Sequence, residues 1–406
     1  MSYVATDELH LWLLMQPEQP LLVGTLHLVR SMQGVSLRYA DSWLQHGFPL
    51  SEDLPLIEQE FLPADKSTAA GAVDDSRPDR WGEQVIRFID KPPRLSLLEF
   101  LYFAGDDRFG SLGVSTSATQ YLPRRLGPLP TLADANQIHE LVQKVLANEP
   151  VPQAQKRLIS PGATLGGARP KALLDIDGQQ WVIKFSPGDP ADTPLIEHAT
   201  LTLAAKARIN VAQTLPVRLT DGHAVAIKRF DRNKGRRLHC LSANVALRAA
   251  AERFGYPELA QLLRRRGVLA KNRYEADMRE LFRRMVFNIL IDNTDDHEKN
   301  HALIMNDAQQ YQLSPAYDVL PSGQALGFQQ MRVGDQEADS TIENALSMSQ
   351  LFSLTKDQAA KEAHAVAKVV DGWREHFRNE GVKKRDIEMY AEWIDRGFLR
   401  EQREHL

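Results

Sequence analysis

Only one cysteine, Cys240, occurs in the 406 residues, so no intramolecular disulfide can form and the chain suits a reducing compartment. Nor is there a surplus of charge of one sign. The 49 Lys and Arg against 53 Asp and Glu leave a formal charge of −4, too little basic field for autonomous, non-specific nucleic-acid binding. Long hydrophobic runs are lacking as well. The early apolar stretch Leu9-His-Leu-Trp-Leu-Leu-Met15 follows Asp7 and Glu8 rather than basic residues and is too short for a membrane span, so a soluble, cytoplasmic protein is expected. Internal repeats, long low-complexity tracts and the phosphate-binding spacing G-x-x-x-x-G-K-[ST] are all missing, which excludes a solenoid and a P-loop unit.

What is present is 43% hydrophobic residues, enough over this length for two or three cores. Residues 1–120 show short alternating apolar runs cut by Gly and Pro, such as Leu21-Leu-Val-Gly-Thr-Leu-His-Leu-Val29, and read as a β-rich subdomain. Residues 121–154 carry an amphipathic helix at 136–148 and the linker-like Glu149-Pro-Val-Pro152. Residues 155–232 alternate strands and turns around a helix at 195–208, and residues 233–406 turn to helical spacing. Met278, Leu281, Phe282, Met285, Val286, Ile289 and Leu290 mark one helix. A second is expected over 355–380, with Thr355 as N-cap and Gly381 as stop, and a third over 385–399.

The first candidate for chemistry is Asp295-Asp-His-Glu-Lys-Asn300, where 300 − 295 = 5 is the spacing that separates a catalytic Asp from a metal-binding Asn in protein kinases. An Asp aimed at a hydroxyl takes its proton while the amide a short turn later holds a magnesium ion. Two common residues at one spacing prove little, but the other parts of a phosphotransferase can be found. Asp318, in Leu313-Ser-Pro-Ala-Tyr-Asp-Val-Leu-Pro321, is placed as a second metal ligand. Lys184 is the single charge in the strand-like Gln180-Trp-Val-Ile-Lys-Phe-Ser186, and a lone buried charge is costly unless paired. The glycine-rich stretch 162–171 would let backbone N–H groups approach phosphate oxygens. Loop, lysine, Asp/Asn pair and second Asp follow one another in protein-kinase order.

With these residues assembled, the chain resembles the HipA-type serine/threonine kinase toxins of bacterial toxin–antitoxin modules. The resemblance rests on Gly166-Gly-Ala-Arg-Pro-Lys171, Ile227-Lys-Arg-Phe-Asp-Arg232, Phe287-Asn-Ile-Leu-Ile-Asp-Asn-Thr-Asp-Asp-His-Glu-Lys-Asn300 and Leu313-Ser-Pro-Ala-Tyr-Asp318. In the N-terminal part it rests on Leu37-Arg-Tyr39, Phe48-Pro-Leu-Ser51 and Gly105-Asp-Asp-Arg-Phe-Gly-Ser-Leu-Gly113. It implies an α+β, protein-kinase-like fold with a β-rich N-terminal subdomain, a small ATP lobe and an all-helical C-lobe. It also implies that Gly166, Gly167, Ala168, Arg169, Pro170 and Lys171 hold the ATP phosphates and that Lys184 touches the nucleotide, with Glu197 as partner of that lysine. Lys228, Arg229 and Phe230 would form the hinge beside adenine. Asp295 would be the proton acceptor, His297, Glu298, Lys299 and Asn300 would complete the catalytic loop, and Asn300 and Asp318, beside Tyr317, would bind Mg2+. Autophosphorylation is implied at Thr164, with Ser160 competing because the loop carries extra residues. The implied partners are a helix-turn-helix antitoxin, DNA only through that antitoxin, and a translation-linked substrate such as an aminoacyl-tRNA synthetase.

Three other readings stand beside this one. His297-Glu-Lys-Asn-His301 fits the H-E-x-x-H zinc motif, with its third ligand unassigned and Glu343 no more than a guess, yet it follows the loop-forming Asn293-Thr-Asp-Asp instead of lying inside a helix. A catalytically idle, partner-binding co-repressor would need no intact Lys184, Asp295, Asn300 and Asp318 set. A small-molecule phosphotransferase would share that set.

Overall fold

The computed structural model describes residues 3–124, 127–159 and 167–406. Within it the chain divides into two compact units, one formed by residues 1–187, 228–250 and 304–309, the other by 188–227, 251–303 and 310–406. The stretch 155–232, expected to form one lobe, is thereby shared between them.

The first unit is built on an antiparallel sheet of five strands: β1 (Glu8–Leu13), β2 (Leu21–Val29), β3 (Gly34–Tyr39), β4 (Glu60–Phe61) and β5 (Leu112–Ser115), in the order β4-β3-β2-β1-β5. Alternation explains the sheet: Leu9 and Leu11 of β1, Val23 of β2 and Val35 and Leu37 of β3 are fully buried. Helix Leu97–Phe103 packs in this unit behind a capping box of Ser96 and Glu99, and its Phe100 and Phe103 join Ile86 in a small aromatic core. The same unit carries the hairpin of β6 (Lys171–Ile176) and β7 (Gln179–Lys184). Its two-residue loop is Asp177-Gly178, both at positive φ, as the tight primed turn of a twisted hairpin requires.

A buried charge web closes this unit. Arg229 Nε and Nη2 donate to Asp231 at 2.9 and 2.7 Å, Arg232 Nη1 donates at 2.8 Å, and the Gly110 amide adds a bond of 2.8 Å. The two guanidinium groups also bind the carbonyls of Asp107, Arg108 and Gly110. Burial works against the Asp231 carboxylate, but the two arginines and the Gly110 amide outweigh it and hold the group well below its ordinary range. The stretch 105–113 and the stretch 227–232, which carried the resemblance separately, are thus locked to each other.

In the second unit, helix Thr193–Lys206 precedes the hairpin of β8 (Thr214–Arg218) and β9 (His223–Lys228). Helix Arg273–Leu290 forms its axis, with all seven residues named from its spacing fully buried. Each contributes about 1.5–3 kcal/mol of apolar transfer. Helices Tyr256–Arg266 and Lys356–Asp371 flank it. Two expectations need correction here. Thr355 does cap a helix with Gln358 in a full capping box, but that helix ends at Gly372 and a separate one, Trp373–Asn379, follows. The expected helix over 385–399 is likewise two, Lys384–Ile394 and Gly397–Glu404. Short strands, Arg236–Arg237, Cys240–Ser242, Ala302–Met305 and Tyr311–Leu313, also interrupt the otherwise helical stretch 233–406. Among the described residues no helix is long and apolar enough to cross a membrane.

Candidate active site

The candidate catalytic loop begins where helix Arg273–Leu290 stops. The Asn293 amide bonds to the Asn288 carbonyl at 2.9 Å and the Asp292 amide to the Ile289 carbonyl at 3.3 Å, with Asp292 left-handed at φ 59. This pairing terminates helices, usually over a glycine. Here the Asp292 carboxylate compensates for the strained backbone by binding Arg396 at 3.0 Å and the Ala325 amide at 3.3 Å.

Beyond that stop the side chains diverge. Asp295 is exposed, whereas its neighbour Asp296 is buried at 1%. The Asp296 carboxylate accepts from Tyr256 Oη and lies 2.7 Å from His301 Nε2. Burial alone would raise this carboxyl, but His301 and the two hydrogen bonds outweigh it and hold the group below the usual carboxylate range. Residues 298–300 form one short turn, with the Asn300 amide bonded to the His297 carbonyl at 2.8 Å and the Lys299 amide to His297 Nδ1 at 3.2 Å. Tyr317 Oη donates to the Lys299 carbonyl at 2.9 Å and so ties the stretch before Asp318 to the loop. Asp318 itself is half-buried and left-handed at φ 58.

One atom of the loop is open to a donor or a cation. Asn300 is 5% exposed, and its Oδ1 is buried without a hydrogen-bond partner. An acceptor left so is costly by about 1–3 kcal/mol unless something else binds it. The cavity against this loop is small, about 10 Å³, and is lined by Arg284, Asn288, Asp296, Asn300, His301 and Tyr317 among others. The zinc reading does not survive this geometry. His297 and His301 both have extended backbone on either side of the short turn, so the H-E-x-x-H residues share no helix face, and His301 Nε2 is committed to Asp296.

In the first unit, Lys171 and Lys184 are directly opposed in the β6–β7 register, and both are buried, at 0% and 1% exposure. Lys171 Nζ donates to Asp79 Oδ2 and, at 2.6 Å, to the Gly167 carbonyl. Asp79 caps helix Arg80–Val85 with its other oxygen, and Trp81 Nε1 donates to the Lys171 carbonyl at 2.8 Å. Gly167 and Ala168 are exposed, Arg169 is half-buried and Pro170 is buried. Gly166, Thr164 and Ser160 lie outside the described residues. Lys228 ends β9 half-buried, Arg229 gives its side chain to Asp231, and Phe230 meets Phe109 edge-on at 6.1 Å. Glu197 is buried on helix Thr193–Lys206. The sequence reading gave no role to Asp79, Asp231, Asp296 or Tyr256. Asp231 and Asp296 lie within quoted motifs and had left that signal; Asp79 and Tyr256 had left none.

Residues 163–377 match the model of the HipA-like C-terminal domain, which is 215 of the 406 residues, and residues 19–115 match the HipA N-terminal domain. The chain belongs to the HipA family. Among solved structures it is similar to HipA of Shewanella oneidensis, determined in a complex with HipB and operator DNA, at a TM-score of 0.66 and 19% identity over 98% of this chain and 99% of that one. That likeness shows the HipA fold. Y4dM of Sinorhizobium fredii, which carries the name of a kinase, is 29% identical over 245 residues, or 54% of this chain and 56% of its own. The chain thus spans about half the length of that relative. In this HipA-family chain the N-terminal and C-terminal family stretches meet through the Asp231 web, since Gly110 falls in one match and Asp231 in the other.

Proposed function

We propose that this HipA-family protein is an ATP- and Mg2+-dependent serine/threonine protein kinase acting as the toxin of a toxin–antitoxin module. The observation that carries the reading is the division of labour in the loop: Asp295 faces solvent while Asn300 keeps a buried, unpartnered acceptor five residues later. Asp295 accepts the proton of the acceptor hydroxyl as that oxygen bonds to the γ-phosphorus; the bond from phosphorus to the β,γ-bridging oxygen breaks and ADP leaves. Asn300 and Asp318 would hold magnesium, which would supply neutralisation of charge on the phosphate oxygens. Gly167 and Lys184 serve the phosphates, with the loop before them, while the Lys171 side chain is held by Asp79, and Lys228 to Phe230 serve the adenine through backbone groups. Arg229 contributes no side chain to that role, because Asp231 holds it.

A helix-turn-helix antitoxin is the proposed partner, with DNA reached only through it; the Shewanella HipA was captured with HipB and operator DNA, which supports this. The proposed substrate is a translation-linked protein such as an aminoacyl-tRNA synthetase, and the compartment is the cytoplasm. Transfer of radiolabelled γ-phosphate from ATP to proteins of a cell extract tests the reading. A labelled protein band supports it, label confined to small metabolites favours a small-molecule phosphotransferase, and no transfer at all favours the idle co-repressor.

A further inference from the structure

We propose that Asp296 and His301 form a clasp that sets the spacing of Asp295 and Asn300, acting as positioning residues for the reaction proposed above. The clasp follows from an offset. Asp296 stands next to Asp295 and His301 stands next to Asn300, so the pair 296/301 spans the same five residues as the pair 295/300, shifted by one. A single side-chain contact of 2.7 Å between Asp296 Oδ2 and His301 Nε2 therefore ties together the immediate neighbours of the base and the metal ligand. An ionised carboxylate can only accept, so Nε2 carries the hydrogen and donates it.

The clasp is anchored, not floating. Tyr256, the first residue of helix Tyr256–Arg266 and 0% exposed, donates to the same Asp296 oxygen and packs edge-on against His301, ring centroids 5.6 Å apart. Asn288, in the last turn of helix Arg273–Leu290, donates to Tyr256 Oη at 3.3 Å and receives Asn293 Nδ2 at 3.1 Å. The two ends of the loop are thus referenced to two helices. Pulling Asp296 inward also turns Asp295 outward, the disposition a base for an incoming hydroxyl needs. Through Tyr317 and the Lys299 carbonyl, a shift of the loop would also reach the stretch before Asp318.

Bulk packing does not demand this arrangement. A buried ion pair is often no more stabilising than apolar side chains of the same volume. What it adds is direction: a fixed contact between two chosen atoms. A displacement of about 1 Å at a reacting group costs on the order of a hundredfold in rate.

The test compares wild type, His301→Gln and His301→Leu as full chains, by steady-state kinetics well below each melting temperature and by hydrogen–deuterium exchange of the peptide covering 293–302. Glutamine can present an N–H near the place of Nε2; leucine fills the space without a donor. His301→Leu is expected to lose about a hundredfold in kcat with KM for ATP little changed, and His301→Gln to recover most of it. The amides of 298–300 should exchange faster in the Leu variant and at the wild-type rate in the Gln variant. Wild-type kcat in His301→Leu, or equal loss in both variants, would overturn the clasp. If the wild type itself transfers no phosphate, the kinase reading fails and the exchange arm alone decides: faster exchange only in the Leu variant supports the clasp, and unchanged exchange refutes it.

Discussion

Lys171 and Lys184 face each other across the β6–β7 hairpin, two buried ammonium groups on one face of one strand pair. Like charges directly opposed are destabilising, so the arrangement persists only where negative charge is supplied. Asp79 supplies it to Lys171.

Asp79→Asn isolates this ion pair, because asparagine keeps the helix cap to the Gly82 amide and removes only the charge. Loss of one partner of a buried pair costs about 3–5 kcal/mol, and since Asp79 is 16% exposed the lower end is expected. Chemical denaturation reads the change. Lys171→Met combined with Asp79→Asn should recover a large part of it, as the stranded charge is then gone.

Asp231→Asn should be the most damaging single change in the first unit, at about 3–5 kcal/mol, since it leaves Arg229 and Arg232 together without their carboxylate. The pH dependence has a definite sign. A carboxylate held below its ordinary value adds stability that is complete above about pH 5 and is lost as pH falls toward its folded value. Wild type should therefore lose stability on acidification, and the variant, already lacking the charge, should show a flatter acid limb in denaturant titrations from pH 7 to 3.

Magnesium and ATP together should raise the melting temperature. At about a hundredfold excess over Kd the stabilisation is roughly 2.7 kcal/mol. Asn300→Ala, Asp318→Ala and Lys184→Met should each shrink the shift measured by scanning calorimetry. Zinc analysis offers a cross-check: one tightly held zinc per chain would contradict the loop geometry described above.

How much of this was legible beforehand follows from the range of each interaction. Helix Arg273–Leu290 and the loop after it were readable because apolar spacing and the cluster Asn293-Thr-Asp-Asp are local signals. The break at Gly372 was not, since periodicity runs on through the buried Trp373 and Phe377 and a single residue separates the two helices. The stop after Ile394 is similar: Asp395 there receives Trp373 Nε1 at 3.0 Å and Arg403 at 3.1 Å, partners 22 and 8 residues away. Lys171 and Asp79 are 92 residues apart, and no spacing rule connects them. The Asp296–His301 contact is short in sequence, but the H-E-x-x-H pattern covered it by offering His301 a different role.

Mass spectrometry after incubation with ATP should find phosphate on Thr164, with Ser160 as the alternative acceptor. A phosphate there adds about −1.5 to −2 charges to a loop meant to receive ATP and should lower activity. Phosphate on neither residue of an active enzyme would remove self-modification from the account and leave phosphotransfer standing.

The central claim is most directly tested by the rate of γ-phosphate transfer in Asp295→Asn beside the wild type, with folding and Mg-ATP binding checked on the same samples. Asp295 is exposed, so the change should leave stability and nucleotide binding nearly intact. A loss on the order of 10²–10⁴ in rate is expected. Transfer at the wild-type rate by a folded, nucleotide-binding Asp295→Asn protein would contradict it.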